Sequence, residues 1–150
     1  MRFVLQRVKY ARVIVDKEVT GEISSGLLVL VGISRKDSEE IFKTAIMKII
    51  NMRIFSNEAG KFHHSVLDLR GEVLLVPQFT LFADTSHGRR PEFFGALEPK
   101  AASSLFSKFV EAFQSVSGLK VEIGVFGADM KVELLNDGPV TIIYDTEASS

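Results

Sequence analysis

The chain has 150 residues, with 18 Lys and Arg against 19 Asp and Glu, 46% apolar and 25% charged residues, and a formal net charge of −1. A single domain of this length buries roughly 68–70% of the surface its unfolded form exposes, enough for a core of its own. The absence of cysteine excludes a disulfide framework, a zinc ribbon, a thiol nucleophile and an iron–sulfur ligand set, and the near-zero charge excludes a whole-protein footprint for nucleic acid.

A local basic patch remains open, because Arg2, Arg7, Lys9 and Arg12 all precede the first acid, Asp16. The opening residues run straight into strand-like sequence with no apolar leader or cleavage site, so no secretory signal is expected and the location expected is cytoplasmic. The longest apolar run, Leu27 to Ile33, is far short of the ~20 residues of a membrane span. With no repeat and no linker, one domain over residues 1–150 is expected.

Taken in order, Phe3 to Val15 is rich in β-branched and aromatic residues and is followed by Asp16-Lys17-Glu18 and then Val19, which predicts a hairpin. The run Gly26-Leu-Leu-Val-Leu-Val-Gly-Ile is apolar at every position, the mark of a central strand covered on both faces. From Asp37 the period changes. Ile41, Phe42, Ala45, Ile46, Ile49 and Ile50 form one helical stripe, and Asp37 with Glu40 resembles a capping box.

Pro99, the stripe Ala102, Leu105, Phe106, Phe109, Val110 and Phe113, and then Gly118 predict a second helix over 99–117. Three strands are expected after it, around Val121–Val125, Met130–Leu134 and Val140–Tyr144, separated by turns at Gly127-Ala128-Asp129 and Asn136-Asp137-Gly138-Pro139. The closing residues Glu147-Ala-Ser-Ser are polar and expected to fray.

Familiar catalytic patterns are missing. His63 and His64 are adjacent, and side chains at successive strand positions point to opposite faces, so they are poorly set to share a metal. There is no Gly-x-Ser-x-Gly elbow and no phosphate-binding glycine loop. No metal and no cofactor are expected.

Two segments stand out. Glu72 to Asp84 is strand-like but interrupted by Pro77 and by the polar residues Gln78 and Thr80. On the residues alone this reads as a bulged edge strand, since proline removes a ladder N–H. Asn136-Asp137-Gly138-Pro139-Val140-Thr141 reads as a turn, with Gly-Pro a place where a cis bond can sit.

Together, Gln-Phe-Thr-Leu at 78–81 and Asn-Asp-Gly-Pro-Val-Thr at 136–141 resemble the two signature motifs of the D-aminoacyl-tRNA deacylases. Gln6-Arg7-Val8, Gly26-Leu-Leu-Val-Leu, Arg53-Ile-Phe, Gly88-Arg-Arg-Pro-Glu-Phe and Phe126-Gly-Ala-Asp-Met130 resemble the same family, in the same order along nearly the whole chain.

The resemblance implies a compact α/β domain of mixed, barrel-like or sandwiched β-sheets with two main helices. It implies a homodimer that hydrolyses the ester between a D-amino acid and the terminal adenosine of tRNA, with glycyl-tRNA, including glycine mischarged on alanine tRNA, as a further substrate. The family's Gly-Pro dipeptide, here Gly138 and Pro139, is cis and enters the partner subunit's site to reject L side chains, and Arg7 matches the arginine that holds it.

Phe79 and Thr80 match the residues whose backbone N–H groups face the ester oxygen. Gln78, Phe126 and Met130 match residues lining the adenosine and aminoacyl pocket. Thr80 has no histidine or lysine in its motif to activate it, so its backbone rather than its hydroxyl is the expected contributor, with the substrate's 2′-hydroxyl supplying much of the rest.

Pro77 is a departure, since the family's commonest pattern has serine there, and an animal deacylase group acting on L-alanyl-tRNA also carries Pro-Gln. The reading from another class is a nucleic-acid-binding module of the same fold, drawing on the basic N-terminus and on Arg89-Arg90.

Overall fold

The structure, a computed structural model, describes residues 1–147. Its frame is a six-stranded mixed sheet in the order β2-β1-β3-β6-β7, with β8 on the other edge of β1. The strands are β1 (Arg2–Val15), β2 (Glu18–Ile23), β3 (Gly26–Gly32), β6 (Glu72–Pro77), β7 (Val121–Ile123) and β8 (Lys131–Asp145), and a separate hairpin joins β4 (Phe55–Ser56) to β5 (Phe62–His64). Two helices, α1 (Phe42–Asn51) and α2 (Pro99–Ser117), complete the α/β domain.

The β1–β2 hairpin forms as expected, with Asp16 and Lys17 at positive φ in the turn. β1 is long enough to pair with β3 through residues 2–8 and with β2 through residues 11–15. The β3–β6 and β6–β7 pairs are parallel, and the others in the sheet are antiparallel. The sheet curls until β2 meets β7: a Cβ on Gly21 would sit 2.6 Å from the Ile123 carbonyl oxygen. Only a residue without a side chain allows that approach, and it makes the sheet a nearly closed barrel.

β3 is central, as its unbroken apolar sequence predicts. Its alternate residues Leu27, Val29 and Val31 face the helices, where Phe3, Ile46, Ile49, Phe109 and Phe113 are buried with them. Leu28 faces the barrel interior with Val8, Val13, Ile23, Leu74 and Val76. The ring of Phe109 meets those of Phe3 at 5.6 Å and Phe42 at 5.2 Å, locking both helices to β1. α2 spans the expected residues, with Pro99 in its first turn, Glu98 capping Lys100 and Ala101 amides, and Gly118 left-handed at φ 63°.

Four expectations are corrected. Asp37 does not cap a helix. The chain makes a 3₁₀ turn over Glu39–Ile41 and α1 begins at Phe42, while the Asp37 carboxylate accepts from the buried Met1 ammonium at 2.7 Å and from the Ser34 amide at 2.6 Å. A charged donor outcompetes neutral helix amides for one carboxylate. The Glu72–Asp84 stretch is not a bulged edge strand either. β6 ends at Pro77, lies between β3 and β7, and gives way to a 3₁₀ turn over Phe79–Phe82 closed by Leu81 N–H to Gln78 and Ala83 N–H to Thr80.

The third correction concerns the end of the chain, where the two expected strands around 130–134 and 140–144 are one strand, β8, running along β1. Val8 is opposite Asn136 and Gln6 opposite Thr141, so between these pairs one residue of β1, Arg7, faces four of β8 and three residues are looped out. Gly138 and Pro139 thus occupy a bulge instead of a reversal, because β1 pairs with β8 on both sides of it. Fourth, the rings of His63 and His64 do not diverge but meet edge to face at 4.7 Å, in a two-stranded ribbon whose register is irregular between Phe55 and Ser56, so the regular alternation of faces does not hold there. At the C-terminus the Glu147 amide donates to Asp145 at 3.0 Å, and the fraying expected of residues 148–150 lies outside the described residues.

Among the described residues no helix is long and apolar enough to cross a membrane.

Candidate active site

β6 stops at Pro77, directly across from Val31 of β3, and the chain turns at Gln78, whose amide donates to the Val31 carbonyl at 2.8 Å. Beside this strand end a cavity of about 580 Å³ opens between β6, the start of α2 and the turn after β7. Pro77, Gln78 and Phe79 form one wall, and Phe126 and Met130 another. Phe126 is backed by Phe106 of α2, with ring centres 6.2 Å apart. Five of the expected site residues are therefore brought together from two segments far apart in sequence, 77–79 and 126–130.

The 3₁₀ turn leaves its first amides unused. The N–H groups of Phe79 and Thr80 have no hydrogen-bond acceptor among the described residues, whereas Gln78, Leu81 and Ala83 amides are all paired. This follows from helical geometry, in which the opening donors lack an intrahelical partner. The Thr80 side chain does not line the cavity, and its hydroxyl accepts from Gln78 Nε2 at 2.6 Å. No Ser, Cys, His or Lys lines the cavity among the described residues.

The cavity has one acid and one cation, Glu98 and Arg35. Glu98 is committed to the Ala101 amide at 2.6 Å and the Lys100 amide at 3.2 Å. Arg35 and Phe93 are lining residues that sequence reasoning did not single out. Phe93 is held edge-on to Phe79 at 5.1 Å between ring centres; it lies within the Gly88-Arg-Arg-Pro-Glu-Phe segment, which was the available signal. In the loop between them, Asp84 and Glu92 pair through their backbones, and the Ser86 hydroxyl and amide hold the Asp84 carboxyl below its ordinary range.

Arg7, Gly138 and Pro139 do not join this cavity. Arg7 is opposite Leu27 on β3, while Pro77 is opposite Val31; four residues along a strand is about 13 Å. Arg7 lines a second, polar depression with Lys9, Arg70 and Asp137. Its Nε donates to the Asp137 carbonyl at 2.8 Å, and its Nη1 donates to the Ile54 carbonyl at 2.9 Å and Ser56 Oγ at 3.2 Å. The Gly138–Pro139 bond is cis, and both residues are exposed. Asn136 closes the base of their bulge, accepting from the Val140 amide at 2.7 Å and donating to Thr141 Oγ1 at 3.0 Å.

Residues 4–145 match the family described as D-Tyr-tRNA(Tyr) deacylase. A D-aminoacyl-tRNA deacylase of Aquifex aeolicus (strain VF5) is 53% identical over 146 residues, covering 97% of this chain and 98% of its own. Among solved structures, one described as c-Myc DNA Unwinding Element Binding Protein is 38% identical with a TM-score of 0.91, over 97% of this chain and 99% of that one. Another, of a probable eukaryotic D-amino acid tRNA deacylase, is 17% identical with a TM-score of 0.83 over 95% and 97% of the two chains, a likeness of fold. A full-length match at this identity identifies the chain as a member of the D-aminoacyl-tRNA deacylase family, a hydrolase of the ester that joins an amino acid to tRNA.

Proposed function

We propose that the cavity beside Pro77 receives the terminal adenosine of tRNA with its D-aminoacyl ester, and that the Phe79 and Thr80 amides receive the oxygen on which charge develops. The observation that carries this reading is the pair of successive unpartnered amides at Phe79, on the wall of a cavity whose lining has no activated nucleophile, and at Thr80, the next residue. Water adds to the acyl carbon, the carbonyl oxygen becomes an oxyanion between the two donors, and collapse breaks the bond to O3′. The proton lost by water reaches O3′ by way of the neighbouring 2′-hydroxyl. An aminoacyl ester is labile enough for such positioning and two fixed donors to suffice, one donor being worth ~10²–10³ in rate.

In this reading Gly138 and Pro139 of a second copy close the site and leave room for only hydrogen where an L side chain would point. Glycine, having no side chain, also fits. The separation of this bulge from its own chain's cavity along β3 supports service in trans, hence a homodimer, and the tRNA substrate supports a cytoplasmic setting. Pro77 supplies no hydroxyl at the position where the family's commonest residue does.

The test is deacylation of D-tyrosyl-tRNA, L-tyrosyl-tRNA and glycyl-tRNA, with sedimentation to count subunits. Release of the D and glycyl groups by a dimer is expected; equal cleavage of the L substrate, or full activity as a monomer, overturns the chirality mechanism. A second reading, a nucleic-acid-binding module without catalysis, draws on the likeness to the c-Myc DNA Unwinding Element Binding Protein and on the exposed Arg89 and Arg90. RNA binding without deacylation of any substrate is its outcome.

A further inference from the structure

Arg35, which lines the cavity, and Phe94, next in sequence to cavity-lining Phe93, are two groups that ester hydrolysis leaves unused. Arg35 is the one cationic side chain lining the cavity among the described residues, and it is exposed. It forms no ion pair there, and its Nε makes a 3.4 Å hydrogen bond to the Ala96 carbonyl, which leaves both terminal nitrogens to a ligand. Phe94 is 71% exposed, while its neighbour Phe93 turns into the cavity against Phe79. An isolated exposed apolar side chain is ordinary; here the exposed ring belongs to the residue between cavity-lining Phe93 and Gly95, the backbone partner of Arg35.

The two residues are held side by side by the backbone. Arg35 N–H donates to the Gly95 carbonyl at 3.2 Å, Ser34 pairs with Ala96, and Leu97 N–H donates to the Ile33 carbonyl at 3.0 Å. Asp37 braces the same segment through the Ser34 amide and the buried Met1 ammonium. The amides at the start of α2 are no rival anion site, because Glu98 already fills that place.

Sites for single-stranded nucleic acid combine a cation for the backbone with an aromatic face for the base. We propose that Arg35 and Phe94 form a subsite for the nucleotide immediately 5′ of the terminal adenosine, Arg35 taking the phosphodiester between the two and Phe94 stacking on the base. The proposal rests on the reading that puts the terminal adenosine in the cavity beside Pro77.

The test compares D-tyrosyl-tRNA with 3′-O-(D-tyrosyl)adenosine, which has neither that phosphodiester nor that base. Arg35→Ala and Phe94→Ala are each expected to raise KM for the tRNA substrate roughly five- to tenfold and to leave kcat within about twofold. Phe94→Ala should leave kcat/KM for the adenosine substrate unchanged, Arg35→Ala should lower it much less than it lowers kcat/KM for the tRNA, and Arg35→Lys should recover part of the loss. Binding of an uncharged single-stranded RNA ending in CCA should weaken in parallel by fluorescence anisotropy. Unchanged KM overturns the proposal, as does an equal loss on both substrates, or a change in subunit number with RNA binding intact, which would make Phe94 a contact between copies.

Ala102→Leu, which fills the cavity wall, separates the two levels. If it leaves cleavage of the adenosine substrate intact while the protein melts normally, the cavity reading fails and the subsite with it. If it blocks that cleavage while the Arg35 and Phe94 variants are silent, only the subsite proposal falls.

Discussion

Arg7 and Asp137 are joined through the backbone: the Arg7 guanidinium, on β1, donates to the Asp137 carbonyl at 2.8 Å and lies 3.8 Å from the Asp137 carboxylate. The same side chain, only 11% exposed, reaches Ile54 and Ser56 beside the β4–β5 hairpin. One guanidinium therefore fixes the looped-out Gly138-Pro139 segment against two other parts of the fold.

Arg7→Ala should leave these acceptors without a charged donor and lower stability by about 2 kcal/mol, a Tm fall of roughly 4–8 °C. Arg7→Lys should recover little, since an ammonium cannot span the three directions. Both variants should lose discrimination between D- and L-tyrosyl-tRNA more than they lose rate on the D substrate. A variant with unchanged Tm and unchanged discrimination would show that the arginine holds nothing of consequence.

Gly138 has φ +152°, and a Cβ there would lie 2.8 Å from the Val140 nitrogen and 3.4 Å from Arg7 Nη2. Gly138→Ala is expected to be destabilised by about 1–3 kcal/mol, and to raise the relative rate on the L substrate as the bulge shifts. Thermal melting and paired D/L rates check both halves.

Thr80 shares its hydroxyl with Gln78 and contributes no side chain to the cavity lining. Thr80→Ala should keep kcat within about tenfold, whereas replacing the Thr80 amide N–H with an ester oxygen by semisynthesis should lower kcat by ~10²–10³. A tRNA with a 2′-deoxy terminal ribose should also be cleaved far more slowly. An inactive, folded Thr80→Ala enzyme that cleaves the 2′-deoxy substrate normally would return the hydroxyl to the role of nucleophile.

Asp145 closes the end of β8 onto β1 through Arg2, with Nη2 at 2.7 Å and Nε at 2.8 Å from its carboxylate. Burial alone would raise its pKa, but the Arg2 hydrogen bond and charge, with the Glu147 amide, bring it below the ordinary value of 3.8. The group therefore stabilises the fold above about pH 4, and that stability is lost as pH falls through the lower folded pKa. Asp145→Asn should lower Tm at neutral pH and flatten the decline of Tm below about pH 4; an acid limb unchanged from the parent protein would remove this pair from the explanation.

What the sequence determined by itself is what neighbouring residues decide. The apolar run of β3 and the full span of α2, from Pro99 to Gly118, are legible because period, proline and glycine act within a few residues. The segments bearing the site were legible as motifs, and Pro77, Gln78, Phe79, Phe126 and Met130 do meet at one cavity.

Only the tertiary structure decided which partners those segments found. Whether Asn136–Pro139 reverses the chain or bulges from it depends on a β1 strand that lies more than a hundred residues earlier and pairs with β8 on both sides of the bulge. Asp37 left its helix for an ammonium at residue 1, and Arg35 and Phe93 reached the cavity through pairing between segments some sixty residues apart. Strand pairing and ion pairing are settled by proximity in space, and a local pattern carries no record of the distant residue that will supply it.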